Sequence, residues 1–111
     1  MLANINRLRK DWEIKKVFKD GKKTLSDNFT LRYLPNRFGY NRFAIVVGTK
    51  VSKLSTRRNA LKRRMREIVR QSVQTMPQGF DIALLAHKLP NWPLKLDNIK
   101  PELSELFKKI K

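Results

Sequence analysis

The chain has 111 residues, with 26 lysines and arginines against 9 aspartates and glutamates, one histidine, no cysteine and a net charge of +17 at pH 7. That length makes a single domain, residues 1–111, and 41% hydrophobic residues are enough for a core. The lack of cysteine excludes a disulfide scaffold, a cysteine-based zinc site and a thiol nucleophile.

Residues 11–20 predict a short helix. Asp11 serves as N-cap, Ile14, Val17 and Phe18 recur at helical spacing, and Gly21 stands at the C-terminus. Residues 29–33 alternate strictly, which predicts a half-buried strand with Thr30 and Arg32 on the face opposite Phe29, Leu31 and Tyr33. After a turn-rich connection, residues 42–48 predict a second strand, apolar enough to be central and covered on both faces. The two strands are expected to form a hairpin. A long helix follows over residues 56–76, ended by Pro77 and Gly79, and then a buried strand over 80–86. Residues 87–98 read as irregular. The last helix carries Pro101 in its first turn, Glu102 and Glu105 early, and Lys108, Lys109 and Lys111 late, an order that complements the helix dipole. Its apolar face is Leu103, Leu106, Phe107 and Ile110. The fold class is α+β, in the order α-β-β-α-β-α, with a small mixed sheet packed by helices.

The charge points to the partner. So large a positive surplus repels itself unless a polyanion is bound, and without a lipidation motif nucleic acid is favoured over a membrane surface. No apolar run approaches the roughly 20 residues of a membrane span, and the opening segment lacks a signal peptide's apolar stretch, so a cytoplasmic address is expected. Nearly half the net charge lies in residues 50–70, where nine basic side chains face a single acid, Glu67. On a helical wheel Leu61, Met65, Ile68 and Val69 form a dry stripe. Asn59, Arg63, Arg66 and Arg70 form a second stripe within roughly 60° of arc. Lys62 lies at its edge, and Arg57 and Arg58 stand in the first turn beside free backbone amides. Together with Lys50 and Lys53 these are the candidate RNA-binding residues. Arginine suits the role because its guanidinium grips phosphate with two donors. Asn59 either reads a base edge or ribose, or helps to cap the helix.

The run Thr56-Arg57-Arg58-Asn59-Ala60-Leu61-Lys62-Arg63-Arg64-Met65-Arg66-Glu67 resembles the signature of the bacterial ribonuclease P protein subunit family. Arg7-Leu8-Arg9-Lys10 with Val17-Phe18 and Gly21, Ile45-Val46-Val47 with Val51-Ser52-Lys53, and Gly79-Phe80-Asp81-Ile82 match the rest of its pattern in order. Ala60 departs from it where arginine is common, and Ile14 where an aromatic is common. The resemblance implies a protein that partners the catalytic RNA of ribonuclease P and promotes removal of 5′ leaders from precursor tRNA. It also implies a left-handed crossover in the fold, against the usual rule. By the same resemblance Ile14, Phe18, Thr30 and Arg32 line a groove for the single-stranded leader, an aromatic and basic lining suited to sequence-tolerant binding.

A nuclease site within the protein would need clustered carboxylates or a histidine base. The acids are scattered, His87 reads as structural or solvent-facing, and Asp81 reads as a hydrogen-bonded strand-entry residue. The protein is therefore expected to be non-catalytic and to bind no cofactor itself, with Mg²⁺ at the partner RNA. It is expected to be a monomer when free. Phe29, Tyr33, Phe43, Phe80 and Phe107 read as core, whereas Trp12 and Phe18 stay open between core and stacking platform. A ribosomal-type structural RNA-binding protein is the alternative reading. A helix-turn-helix DNA reader fares worse, because strands flank the basic helix where a second helix is required.

Overall fold

The computed structural model describes residues 7–48, 50–87 and 96–110. The chain runs α1 (Asp11–Asp20), β1 (Lys22–Leu25), β2 (Phe29–Pro35), β3 (Arg42–Val47), α2 (Ser55–Ser72) closing in a 3-10 turn at Val73–Thr75, β4 (Phe80–Ala86) and α3 (Leu96–Phe107). The expected irregular stretch lies outside the described residues over 88–95. The four strands form one mixed sheet in the order β1-β2-β4-β3. Thus the expected class holds, with one more strand than the periodicity showed.

Four expectations are corrected. β2 and β3 make no hairpin, because β4 inserts between them, antiparallel to β2 and parallel to β3. β4 is buried at six of its seven positions, so it takes the centre and displaces β3 to the edge, where Ile45 and Val46 are half-buried. The parallel β3–β4 pair needs a crossover, and α2 supplies it. The extra strand, β1, has little apolar patterning and is held by its antiparallel register with β2. At the helix ends, Lys10 and not Asp11 is the N-cap of α1, so Asp11 and Glu13 sit inside the first turn. Pro101 lies inside α3, which begins at Leu96, so Glu102 and Glu105 are not first-turn residues. Gly21 ends α1 with an ordinary negative φ, and the glycine is needed for space, since a Cβ there would lie 2.4 Å from the Val17 carbonyl oxygen.

Strand alternation divides the sheet into two unlike faces. One presents Phe29, Leu31 and Tyr33 of β2, Phe43 and Val47 of β3, and Phe80, Ile82, Leu84 and Ala86 of β4. α2 closes it with Leu61, Met65, Ile68 and Val69, and α3 with Ile99, Leu103, Leu106 and Phe107. The stripe expected on the basic helix is thus core. Glu102 fastens α3 to the β1–β2 turn: it accepts hydrogen bonds from the Ser26 hydroxyl and from the Asn28 backbone and side-chain amides. Burial opposes the charge on Glu102, but these donors overcome it and hold its pKa below the ordinary carboxylate value.

The second face is built in three rows. Lys23, Arg32, Ala83 and Ala44 are register partners across the middle, and the two alanines leave room for Val17 of α1, which is fully buried there. Below them Leu34, Asp81 and Arg42 form a charged row. Above them Leu25, Thr30, Leu85 and Val46 form a row that α1 does not seal.

Candidate RNA interface

α2 gives its outward face to cations. Asn59, Arg63 and Arg66 are exposed, Lys62 is half-buried, and with Thr56 they line one shallow hollow. The N-cap of α2 is Leu54, with no side-chain cap, so Asn59, in the second turn, plays no capping part. It stands in the hollow as a hydrogen-bonding amide among cations. The other predicted residues are not equivalent. Lys50 and Lys53 are exposed in the loop before the helix. Arg58 is half-buried and donates to the Ser52 carbonyl at 2.8 Å, tying that loop to the helix, while Arg57 is half-buried beside it. Arg70 lies 2.5 Å from Glu67, and this hydrogen bond, more than the Coulomb attraction that accompanies it, holds the Glu67 carboxyl down at about 2. The charge of Arg70 is therefore partly answered within the helix.

Arg66 also borders a second hollow, along the outer edge of β3 where Arg7 bridges Phe43, with Arg7, Arg9, Ile14 and Val46. Here the cationic stripe joins the unsealed upper row of the sheet. Ile14 lies beside Val46, and Phe18, one turn on, continues the same flank of α1. Both are half-buried. Of the predicted groove residues, Phe18 and Arg32 are in contact, Ile14 lines the hollow beside β3, and Thr30 stands in the upper row paired with His87. Arg32 donates to the Phe18 carbonyl at 2.7 Å and sits 5.9 Å from the Phe18 ring centroid, so it fastens α1 to the sheet. Thr30 is buried and bonds the His87 Nδ1 at 3.0 Å. His87 Nε2 lies 2.9 Å from the Asp27 carbonyl, which can only accept, so Nε2 donates and in the neutral ring Nδ1 accepts the Thr30 proton. The Thr30 oxygen then keeps its acceptor lone pairs.

Several residues escaped the sequence reading. Leu25, 54% exposed, and the half-buried Leu85 and Val46 make the apolar floor beside Thr30, and Arg7 joins the end of the groove nearest α2. Only the strand order places them side by side. Asp81 is as expected, a hydrogen-bonded strand residue, and it takes Arg42 at 2.8 Å while Glu13 takes the same guanidinium at 2.5 Å. Hydrogen bonding to Asp81, opposed by burial and aided by Glu13, raises the Arg42 pKa above its ordinary value. Among the described residues no group of three or more histidine, aspartate or glutamate side chains could hold a metal ion, and no helix is long and apolar enough to cross a membrane.

A model of the Ribonuclease P family matches residues 2–111. The chain belongs to the ribonuclease P family. The ribonuclease P protein component of Thermotoga maritima is 42% identical over 82 residues, spanning 74% of this chain and 68% of that protein. The ribonuclease P protein component of Petrotoga mobilis is 33% identical over 107 residues, 94% of this chain and 90% of that one. The solved structure of the Thermotoga maritima RNase P protein in complex with 1-(4-fluorophenyl)-2-thiourea superposes with a TM-score of 0.83 at 31% identity, covering 95% of this chain and all of that one. The ribonuclease P match and these likenesses favour this family over the ribosomal-type alternative.

Proposed function

We propose that the chain is the protein subunit of ribonuclease P, binding the catalytic RNA through α2 and the 5′ leader of precursor tRNA through the open row of the sheet. The observation that carries this is the continuity of the two surfaces. Arg66 lines both the α2 hollow and the hollow that runs to Ile14 and Val46, so one bound RNA assembly touches phosphate-binding and base-binding surfaces at once. Arg63, Arg66 and Lys62 neutralise phosphates and release counterions. The apolar row and Phe18 offer surfaces to unstacked bases, and the Thr30 oxygen accepts a hydrogen bond from a ribose hydroxyl or a base amine.

The division of labour follows from the donor chemistry. Glu13 of α1 and Asp81 of β4 are both spent on Arg42, and the one histidine is spent on Thr30 and a carbonyl. The protein therefore positions substrate, while hydrolysis of the leader phosphodiester and the Mg²⁺ it uses belong to the RNA. The test is to add the purified protein to the catalytic RNA at moderate Mg²⁺ and measure leader cleavage. The expected result is a rise in cleavage with added protein and none from protein freed of RNA. No rise, or turnover by nuclease-treated protein alone, would contradict the proposal.

A further inference from the structure

The flank of α1 that faces away from the groove carries a feature the proposed function does not use. Trp12 is 63% exposed and Phe38 is 51% exposed, and these two exposed aromatics line the same hollow, with Lys16 and Arg37 among its charged residues. An isolated exposed apolar residue needs no explanation, but two aromatics gathered at one hollow do. Phe38 is moreover held in place. Its backbone amide donates to Asn36 Oδ1 at 2.9 Å, and the Asn36 side chain donates in turn to Asp81 at 2.9 Å. The Arg42 guanidinium, fixed by Glu13 and Asp81, lies 4.3 Å from the Phe38 ring centroid. A pinned loop is thus presenting an aromatic ring to solvent. Arg42 is occupied by carboxylates, which leaves Lys16 and Arg37 as the cations of the hollow open to phosphate.

We propose that this hollow is a nucleobase site for the part of the single-stranded leader that extends beyond the groove. The path is short. Ile14 and Phe18 face the groove, Lys15 and Lys19 stand exposed on the outer surface of α1, and Trp12 and Lys16 face the hollow. One helix, about 10–12 Å across, separates the two. A strand leaving the groove crosses α1 with its phosphates on the lysines and sets a base against Trp12 and Phe38. Glu13 and Asp81 are both neutralised by Arg42, so the open charges are Lys16 on α1 and Arg37 in the β2–β3 loop. Two rings beside two cations suit a base and its phosphates better than an acidic peptide, which has no flat face to stack. The inference rests on the groove reading above, and its test keeps the two apart.

Holoenzyme is assembled with wild-type protein and with Trp12→Ala, Phe38→Ala and Phe18→Ala. Affinity is measured for precursor tRNA with a long leader, with a leader too short to leave the groove, and for mature tRNA. Trp12→Ala and Phe38→Ala should weaken binding of the long leader about tenfold, the value of one base–aromatic stack, and leave the other two substrates unchanged. Unchanged affinity for the long leader, or equal losses for all three substrates, would overturn the site, the latter placing the catalytic RNA or another partner there. If Phe18→Ala weakens precursor binding while Trp12→Ala does nothing, only the hollow is lost. If neither has any effect, the groove reading falls as well. Because Phe38 packs on Arg42, a readout without that substitution is added. In Trp92→Phe protein the remaining tryptophan is Trp12, and its fluorescence should be quenched saturably by a long single-stranded leader RNA and not by a short one. An unquenched signal at saturation would overturn the proposal.

Discussion

Leu84 and Leu85 are neighbours in β4, yet Leu84 is completely buried under α2 and α3 while Leu85 is half-buried in the row that α1 leaves open. The contrast holds for the whole sheet. One face is a continuous apolar core closed by two helices, and the other is covered by Leu8 and by one helix that sits on two alanines and is latched at one side by the Arg42 ion pairs and at the other by Arg32. A small domain with few residues to spare has put most of its apolar burial on one side. The other side is held by polar ties at its margins, so a strip of apolar surface stays available. The difference teaches how a protein of this size can leave apolar surface open without losing its fold, and on the function proposed above stability and recognition fall on opposite faces of the same strands.

The largest effect expected from this contrast is on stability. Leu84→Ala should cost about 2–5 kcal/mol, because the cavity it leaves is sealed. Leu85→Ala should cost about 1 kcal/mol, since less area returns to water. Denaturant midpoints for the two variants check this, and equal losses would break the contrast between the faces. The second effect concerns α2, whose dry and cationic stripes repeat the same division within one helix. Replacing Arg63 and Arg66 by Gln should lower the log–log salt slope of RNA binding by roughly 0.7–0.9 for each phosphate no longer neutralised. Stability should stay within about 0.5 kcal/mol of wild type. An unchanged slope, or unfolding, would show that these arginines serve the core.

Smaller effects sharpen the picture. Arg70→Gln should reduce the slope less than Arg66→Gln, because Glu67 already answers its charge. Glu67→Gln should tighten RNA binding slightly, read in the same titrations, and a weakening would mean that the pair orients Arg70 for RNA. The least effect is expected from pH. The pKa of Glu102 is lowered in the folded state, so its contribution is present above the ordinary carboxylate range and is lost as pH falls through the folded value. Glu102→Gln should therefore flatten the acid side of the Tm–pH profile and leave the rest nearly parallel to wild type. An unchanged acid limb would remove Glu102 as the latch between α3 and the β1–β2 turn.

Much of this division was legible in the residues. The two stripes of α2 follow from helical spacing, and the opposition of Thr30 and Arg32 to Phe29, Leu31 and Tyr33 follows from strand alternation. Pairing was not legible. Residues 29–35 and 42–47 are adjacent in sequence and apolar, which suggests a hairpin, but the more apolar β4 outcompetes β3 for the central position. That one exchange decides the upper row, since Thr30, Leu85 and Val46 become neighbours only when β4 lies between β2 and β3. The same holds for Arg42. Its partners Glu13 and Asp81 come from a helix and a strand far away in the chain, and no local pattern joins them.

The central claim is that the open row holds the leader while the sealed face holds the fold. Its most direct measurement is holoenzyme affinity for precursor and for mature tRNA, comparing wild type with Phe18→Ala and with Phe18→Leu, which keeps apolar bulk without the ring. Loss of one stacked base predicts about tenfold weaker binding of precursor for both variants, near-wild-type binding of mature tRNA, and a Tm for Phe18→Leu close to wild type. Equal losses for precursor and mature tRNA, or full rescue of precursor binding by leucine, would contradict the claim and return Phe18 to the packing of α1 on the sheet.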